Sequence, residues 1–386
     1  MHSWPQPRCV RASWGSVPRG AETTAQQQQL TVQLLSLPQQ GADLVSIADT
    51  GSTDGTPEAL RAAGADVHSI TVSPWRFDVA RNIALSLLPA DCDLCLSLDL
   101  DEQLQPGWAE ELRRAWAASS GRLTEVRHTV VDTFNPDGSP HTFFLHTKFH
   151  GRWNYTWQGP AHELPTWLGL QGAAYEMALP DLRVHQHTDP TKNRASYLGL
   201  LKLGAEEEPT NARRSYYYGR ELFHQQQPQA AAAELERYLT LPGAHCKEER
   251  AAALRYIAQS ELALGRATEA QRAAHRGVLE DGRHRESWLE LARMSNAVED
   301  WHTTRWAVTK ALAITEQQPS SFGNSKSWGW WPHDLAAIAA YYVGYKEEAL
   351  RHGEQAAALN PGDPRLRRTC SFIGRPCSIE PHAPTK

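Results

Sequence analysis

The feature that most restricts the fold is an internal shift of 34 residues, at which LALGRATEA (262–270) falls on NAVEDWHTT (296–304). YYVGYKEEA (341–349) matches again after a further 45 residues, and FHQQQPQAA (223–231) is a weaker earlier copy. The 11 extra residues of the longer interval are accounted for by an insertion around QQPSSFGNSKSWGW (317–330). A period of this length with small residues at helix contacts means helical pairs. A pair that cannot bury its face alone stacks on the next one. The spacing therefore predicts a helical solenoid over 191–376, closing near ALNPGDP (358–364), and a disordered tail over 377–386.

The preceding region is patterned differently. Residues 1–28 are polar, rich in Pro and Gly and then in Gln, and predict a poorly ordered start. Over 29–190 apolar strands alternate with helices. A helix at 30–40 leads to strand 42–49, helix 57–64, strand 65–72, helix 77–88, strand 92–99 and helix 107–119. That order predicts a mostly parallel sheet covered by helices. A hairpin follows, VRHTVVDTF and HTFFLHTKF around the turn NPDG (135–138). Residues 151–190, rich in Trp, Pro and His, are expected to be an irregular, site-forming loop region.

Four stretches carry candidate chemistry. In LSLDLDE (96–102), Leu96, Leu98 and Leu100 alternate with Ser97, Asp99 and Asp101, so a strand delivers two carboxylates to its C-terminal end. Carboxylates this close repel unless a cation lies between them, which suggests Mg²⁺ or Mn²⁺. A strand followed by an acidic turn would look the same. ADTGSTDGT (48–56) ends a strand at Asp49, turns through Gly51, Ser52 and Gly55, and starts a capped helix at Thr56-Pro57. Asp49 could hold a nucleoside, or simply its own turn. WRFDVARN (75–82) opens a helix in which Arg81 could reach a diphosphate. GPAHE (159–163) sets an imidazole beside a carboxylate, with Trp153 and Trp157 near enough in sequence to stack on a sugar.

In this order the four stretches resemble the family 2 glycosyltransferases of the GT-A fold, closest to the bacterial and phage branch with tetratricopeptide repeats after the catalytic domain. Lys192-Asn193-Arg194, YYYGRELF (216–223), EDW (299–301) and HDLAAIAAYYVG (333–344) extend the resemblance across roughly 40–365. It implies an α/β GT-A domain followed by an all-α repeat domain. It also implies metal-dependent, inverting transfer of a sugar from a nucleotide-sugar, expected to be a UDP-sugar, onto a protein, lipid or glycan. Asp49, Arg81, Asp99 and Asp101 fall where the family binds donor, and Asp99 and Asp101 where it binds Mn²⁺ or Mg²⁺. His185 and His187 of RVHQHTD are further ligand candidates. Glu163 falls where the family has its base, with His162 its rival, and Trp153 and Trp157 lie on the acceptor side. Members begin with a strand lining the base pocket, whereas the corresponding 21–40 here is Gln-rich and shows none. The alternative is a repeat scaffold carrying an inactive glycosyltransferase-like domain. A third reading is a hydrolase with a metal held by His162, His185, His187, Asp99 and Asp101.

Composition narrows the partners. A net charge of −5 gives no basic patch for nucleic acid. No run of about 18 apolar residues suggests a span, so membrane association is expected to be peripheral at most, and the start lacks the apolar core of a secretory signal. Six cysteines in 386 residues form no disulfide framework. Cys92 and Cys95 read as buried strand thiols, and a reducing cytoplasm is the expected compartment.

Overall fold

The computed structural model describes residues 10–15, 41–99, 102–134, 138, 140–170, 172–187, 197–318 and 320–374. The expected helix at 30–40, Leu100 and Asp101, most of the NPDG turn, Lys192 to Arg194 and the tail from 377 lie outside the described residues. The chain divides into two compact units, Met1–Gly204 and Ala205–Lys386.

The first unit is a sheet covered by helices. Its strands are β1 (Val10–Gly15), β2 (Leu44–Asp49), β3 (Asp66–Ser69), β4 (Leu94–Leu98), β5 (Glu102–Leu104), β6 (Glu125–Phe134), β7 (Pro140–Gly151) and β10 (Glu176–Gln186). They form one eight-stranded sheet in the order β3-β2-β1-β4-β7-β6-β10-β5. The first four run parallel, β7 lies antiparallel between β4 and β6, and β10 runs parallel to β6. Helices α1 (Thr56–Ala62), α2 (Phe77–Leu87) and α3 (Trp108–Ala118) are the connections.

Two expectations are corrected here. The chain does have a first strand: Val10–Gly15 fills the slot between β2 and β4, pairing Ala12 with both Val45 and Leu96. It escaped notice because it is six residues long, carries Arg11 and Ser13, and stands among prolines and glycines. Only pairing on both edges makes a central strand of it. Residues 151–190 are likewise not mainly loop. They contain the hairpin β8 (Tyr155–Gln158) and β9 (Leu164–Trp167), then β10, whose proline and charges masked its pattern.

β4 shows why the period-2 reading worked and what it missed. Leu94, Leu96 and Leu98 enter the main core with Trp108, Leu112 and Phe149. Cys95 packs with Cys92, Leu85, Leu88 and Trp157 in a smaller cluster. The strand is buried along its whole length, Ser97 included, as a central strand covered on both faces must be.

The second unit contains α5 (Ala212–His224), α6 (Pro228–Thr240), α7 (Lys247–Ala263), α8 (Ala267–Glu280), α9 (Arg285–Ala297), α10 (Trp301–Ala313), α11 (Trp331–Val343), α12 (Lys346–Leu359) and α13 (Pro364–Ile373); α4 (Tyr197–Glu207) straddles the division. Each helix from α5 onward packs on the next, and α5, α7, α9 and α11 also touch in succession. This is a stacked array of helical pairs. The repeated strings sit at the turns inside the pairs. There Gln226, Gly265, Glu299 and Gly344 all take positive φ. In each turn the following amide bonds the carbonyl five residues back, as in Gln227 to Leu222 and Tyr345 to Ala340, which closes the helix end. The insertion holds a short 3₁₀ helix, Ser325–Trp328. Alanines such as Ala231, Ala253, Ala274, Ala307 and Ala337, all fully buried, allow the close helix contacts.

Candidate functional site

Helix α2 builds the site with one face. Asp78, Arg81 and Asn82 are three and four residues apart and therefore side by side. The Asn82 amide donates to the Trp157 carbonyl and accepts its N–H, both at 2.8 Å, acting as a strand partner for β8. Asp78 Oδ2 accepts from the Gly159 amide at 3.0 Å, and Arg76 grips the same carboxylate in a fork. Burial opposes ionisation of Asp78, but Arg76 and the Val79 and Gly159 amides together outweigh it and hold the carboxyl below its ordinary range. The Phe77 amide donates to the Pro160 carbonyl at 3.0 Å. WRFDVARN thus clamps the chain that leads into GPAHE.

Arg81 is the hub. Its Nη1 donates to Ser97 Oγ at 2.7 Å, its Nη2 to Asp99 Oδ1 at 2.7 Å, and its Nε to Glu163. The guanidinium also lies 4.8 Å from the centre of the Trp157 ring. A second buried cation completes the cluster: Lys148 on β7 donates to Asp99 Oδ2 at 3.0 Å and to both oxygens of Glu102. Glu102 Oε2 accepts from the Asp99 amide at 2.8 Å.

Charges respond accordingly. Burial disfavours the Asp99 carboxylate, yet Lys148 and Arg81 more than offset this and hold its carboxyl far below the ordinary range. Burial likewise opposes the charge on Lys148, and Asp99 with Glu102 holds it as ammonium nonetheless. Glu102 is pushed up by its own burial.

The expected residues meet different fates. Arg81, Asp99 and Glu163 converge from positions up to 82 residues apart. Asp101 lies outside the described residues. Asp49 ends β2 buried, accepting from the Gly51 and Ser52 amides at 3.1 and 3.2 Å and from Ser52 Oγ at 2.6 Å, so its carboxylate holds its own turn. The helix after it is capped by Gly55, with Asp54 bonding the Thr56 amide, rather than by Thr56. His162 takes a left-handed backbone, φ 50°, with its ring 6.2 Å from that of Tyr197. Trp157 is 5% exposed beneath Arg81, so the acceptor-stacking role expected of it is corrected: its ring is core. Trp153 is 54% exposed and keeps one face under Arg152.

Of the expected metal set, Asp101 lies outside the described residues, and the others are placed as follows. Both oxygens of Asp99 already accept from cations, and the rings of His185 and His187 pack on Phe134 at 5.2 and 5.8 Å. Their strand does run beside the acidic turn, with Gln186 paired to Glu102. Among the described residues no group of three or more His, Cys, Asp and Glu could hold a metal ion. Asp99, His185 and His187, the described members of the DxD and His-rich stretches, each already have other partners, and the histidine-based hydrolase site finds no support in their placement.

Sequence reasoning missed Asp78, Asn82, Ser97, Glu102 and Lys148. The helical spacing to Arg81 would have found the first two, and adjacency to the DxD would have found Glu102. Nothing local marks Lys148, 49 residues from Asp99.

The protein is thus a mixed α/β sheet unit with a buried ionic site, followed by an array of helical pairs. No family model matches the chain, and no curated protein matches it. Solved structures similar to it include YrrB, a TPR protein with an unusual peptide-binding site, at 13% identity over 45% of this chain and 81% of that one, TM-score 0.37. Also similar are PilF of Pseudomonas aeruginosa, at 15% identity over 45% of this chain and 72% of that one, TM-score 0.37, and a fragment of MamA from Desulfovibrio magneticus RS-1, at 10% identity over 42% of this chain and 82% of that one, TM-score 0.35. No described helix is long and apolar enough to cross a membrane.

Proposed function

We propose that this protein is a binding protein built on tetratricopeptide-type repeats, whose array from α5 to α13 engages a partner protein. The observation that carries this reading is the contact order of the helices: neighbours pack in sequence, and α5, α7, α9 and α11 form a continuous layer. Arrays of this construction present extended surfaces suited to another chain. Cross-linking the full-length protein in its native cell extract, with the linked positions mapped by mass spectrometry, tests it. Protein partners linked through α5 to α12 are expected. Links confined to the sheet unit would sink this reading.

A second reading, sugar transfer from a nucleotide-sugar by the sheet unit, is favoured by a separate observation. Arg81, Asp99 and Glu163, from three of the four family-like stretches, converge beyond the carboxyl end of β4. Ligands of open α/β sheets bind at such ends. The run of parallel strands β3-β2-β1-β4 followed by an antiparallel β7 also supports a GT-A-like domain. In this reading Glu163 takes the proton of the acceptor hydroxyl as that oxygen bonds the anomeric carbon of the sugar. The bond from this carbon to the diphosphate breaks, the nucleoside diphosphate leaving. Arg81, bonded to Glu163, keeps that carboxylate in place. Glu163→Gln should retain UDP binding and lose about 10²–10⁴-fold in transfer rate. Near-normal turnover in that variant, with collapse in His162→Ala, would move the role to the histidine.

A further inference from the structure

We propose that Lys148 and Glu102 are a positioning pair that fixes the Asp99 carboxylate for the ligand of the sheet unit; the proposal rests on the transfer reading only for the identity of that ligand as a nucleoside diphosphate. Asp99 is held at three points. Arg81 takes Oδ1, Lys148 takes Oδ2, and Glu102 takes the backbone amide. Glu102 therefore grips Asp99 twice, directly through the amide and indirectly through the ammonium it shares. The Asp99 side chain cannot rotate without breaking a charge-assisted bond.

The distribution of exposure points to purpose. The side chains of Arg81, Lys148 and Glu102 are 10%, 9% and 2% exposed, whereas that of Asp99 is 37% exposed. Three buried charged groups thus converge on one carboxylate that keeps part of its surface in water. Buried ionic networks are poor devices for stability, since apolar side chains of the same volume often serve as well or better. A network that immobilises a single accessible acceptor instead suits recognition, where an oriented group costs less to order when the ligand arrives. Each Asp99 oxygen keeps a second lone pair for a ligand hydroxyl. Lys148 and Glu102 act through Asp99 and need not touch the ligand.

Calorimetric titration of UDP into the full-length chain tests this. Lys148→Met alone leaves Glu102 without its cation and Asp99 with Arg81 only, and should lower the melting temperature. Adding Glu102→Gln removes one charge of each sign and should bring the melting temperature back toward wild type. The positioning role requires that this double variant still bind UDP roughly 10–100-fold more weakly. A double variant that melts and binds UDP like wild type overturns the proposal. Should the double variant not fold, Lys148→Arg decides. Its planar head cannot seat between the two carboxylates without shifting Asp99, so in the folded variant UDP binding should weaken by about 10-fold, and unchanged binding overturns the proposal. A wild-type chain that binds no UDP overturns it together with the transfer reading, while UDP binding without sugar transfer sinks the transfer reading alone.

Discussion

The two units differ in how they arrange charge: the sheet unit joins buried groups of both signs in one network, whereas the array's buried carboxylates, such as Asp281, Glu290 and Asp334, each pair with an arginine that keeps contact with water. In the helical array, ion pairs such as Arg276–Glu236 and Arg305–Glu348 link neighbouring pairs of helices at partly exposed positions, with Arg276 and Glu236 48% and 44% exposed. In the sheet unit, Arg81, Lys148, Glu102 and Glu163 are almost wholly withdrawn from water and converge on one another. Pairs that stay wet contribute little and mark register. Pairs that are buried cost desolvation and are kept where a site needs them. The exposed pairs of the array are therefore expected to tolerate charge substitutions that the buried network of the sheet unit does not.

Acid should open the widest gap between them. His128 and His150 are 0% and 1% exposed, and burial holds their rings neutral, pushed down from 6.5 to about 3 and about 4. The unfolded chain binds protons at these rings once pH falls below about 6.5, and the folded sheet unit does so only near 4 or lower. Stability is therefore intact above 6.5 and falls between 6.5 and 4, by on the order of 3 kcal/mol for each ring. The array's His333 and His352, hydrogen-bonded at 3.0 Å, are also pushed down by burial but are less deeply buried, so its loss should be smaller. Hydrogen exchange resolved by segment at pH 7 and pH 4.5 checks this. An array that opens before the sheet unit would break the comparison.

Arg81→Met comes next. It leaves Glu163 and Asp99 without their shared cation and should cost the sheet unit about 3–5 kcal/mol in a denaturant melt, with the array unaffected. A loss below 1 kcal/mol would mean that the carboxylates find other partners.

Packing should decide the array. A Cβ at Gly219 would lie 2.7 Å from Leu235 Cγ, so Gly219→Ala forces α5 and α6 apart and should destabilise by about 1–3 kcal/mol despite its better helix propensity. A stabilised Gly219→Ala protein would show that this helix contact has slack. The smallest effect is expected for Arg276→Ala, within about 1 kcal/mol, measured in the same melt. A larger loss would show that wet pairs carry the array after all.

The 34-residue shift was enough to locate the array's turns, because each turn is closed by bonds among residues five or fewer apart. Even there, side-chain identity was a partial guide: Gly265 and Gly344 suit a left-handed turn, yet Gln226 and Glu299 adopt the same backbone at equivalent places. In the sheet unit the motif strings were legible, and Arg81, Asp99 and Glu163 were named from them. Their partners were not all legible. Trp157, a candidate sugar platform by its place in the sequence, is core, because a tryptophan in a polar string gives no sign of which element will cover it.

Sequence alone determined what is local: helix pairs and their period, the alternation of β4, and the face of α2 that carries Asp78, Arg81 and Asn82. Tertiary structure alone decided what depends on distant chain meeting. Val10–Gly15 became a strand only by pairing with β2 and β4 at once. Asp99 became a held carboxylate only when β7 brought Lys148 beside it. Backbone pairing and ion pairing are satisfied by whichever groups come within reach, and reach across 49 residues is set by the fold, which no window along the chain contains.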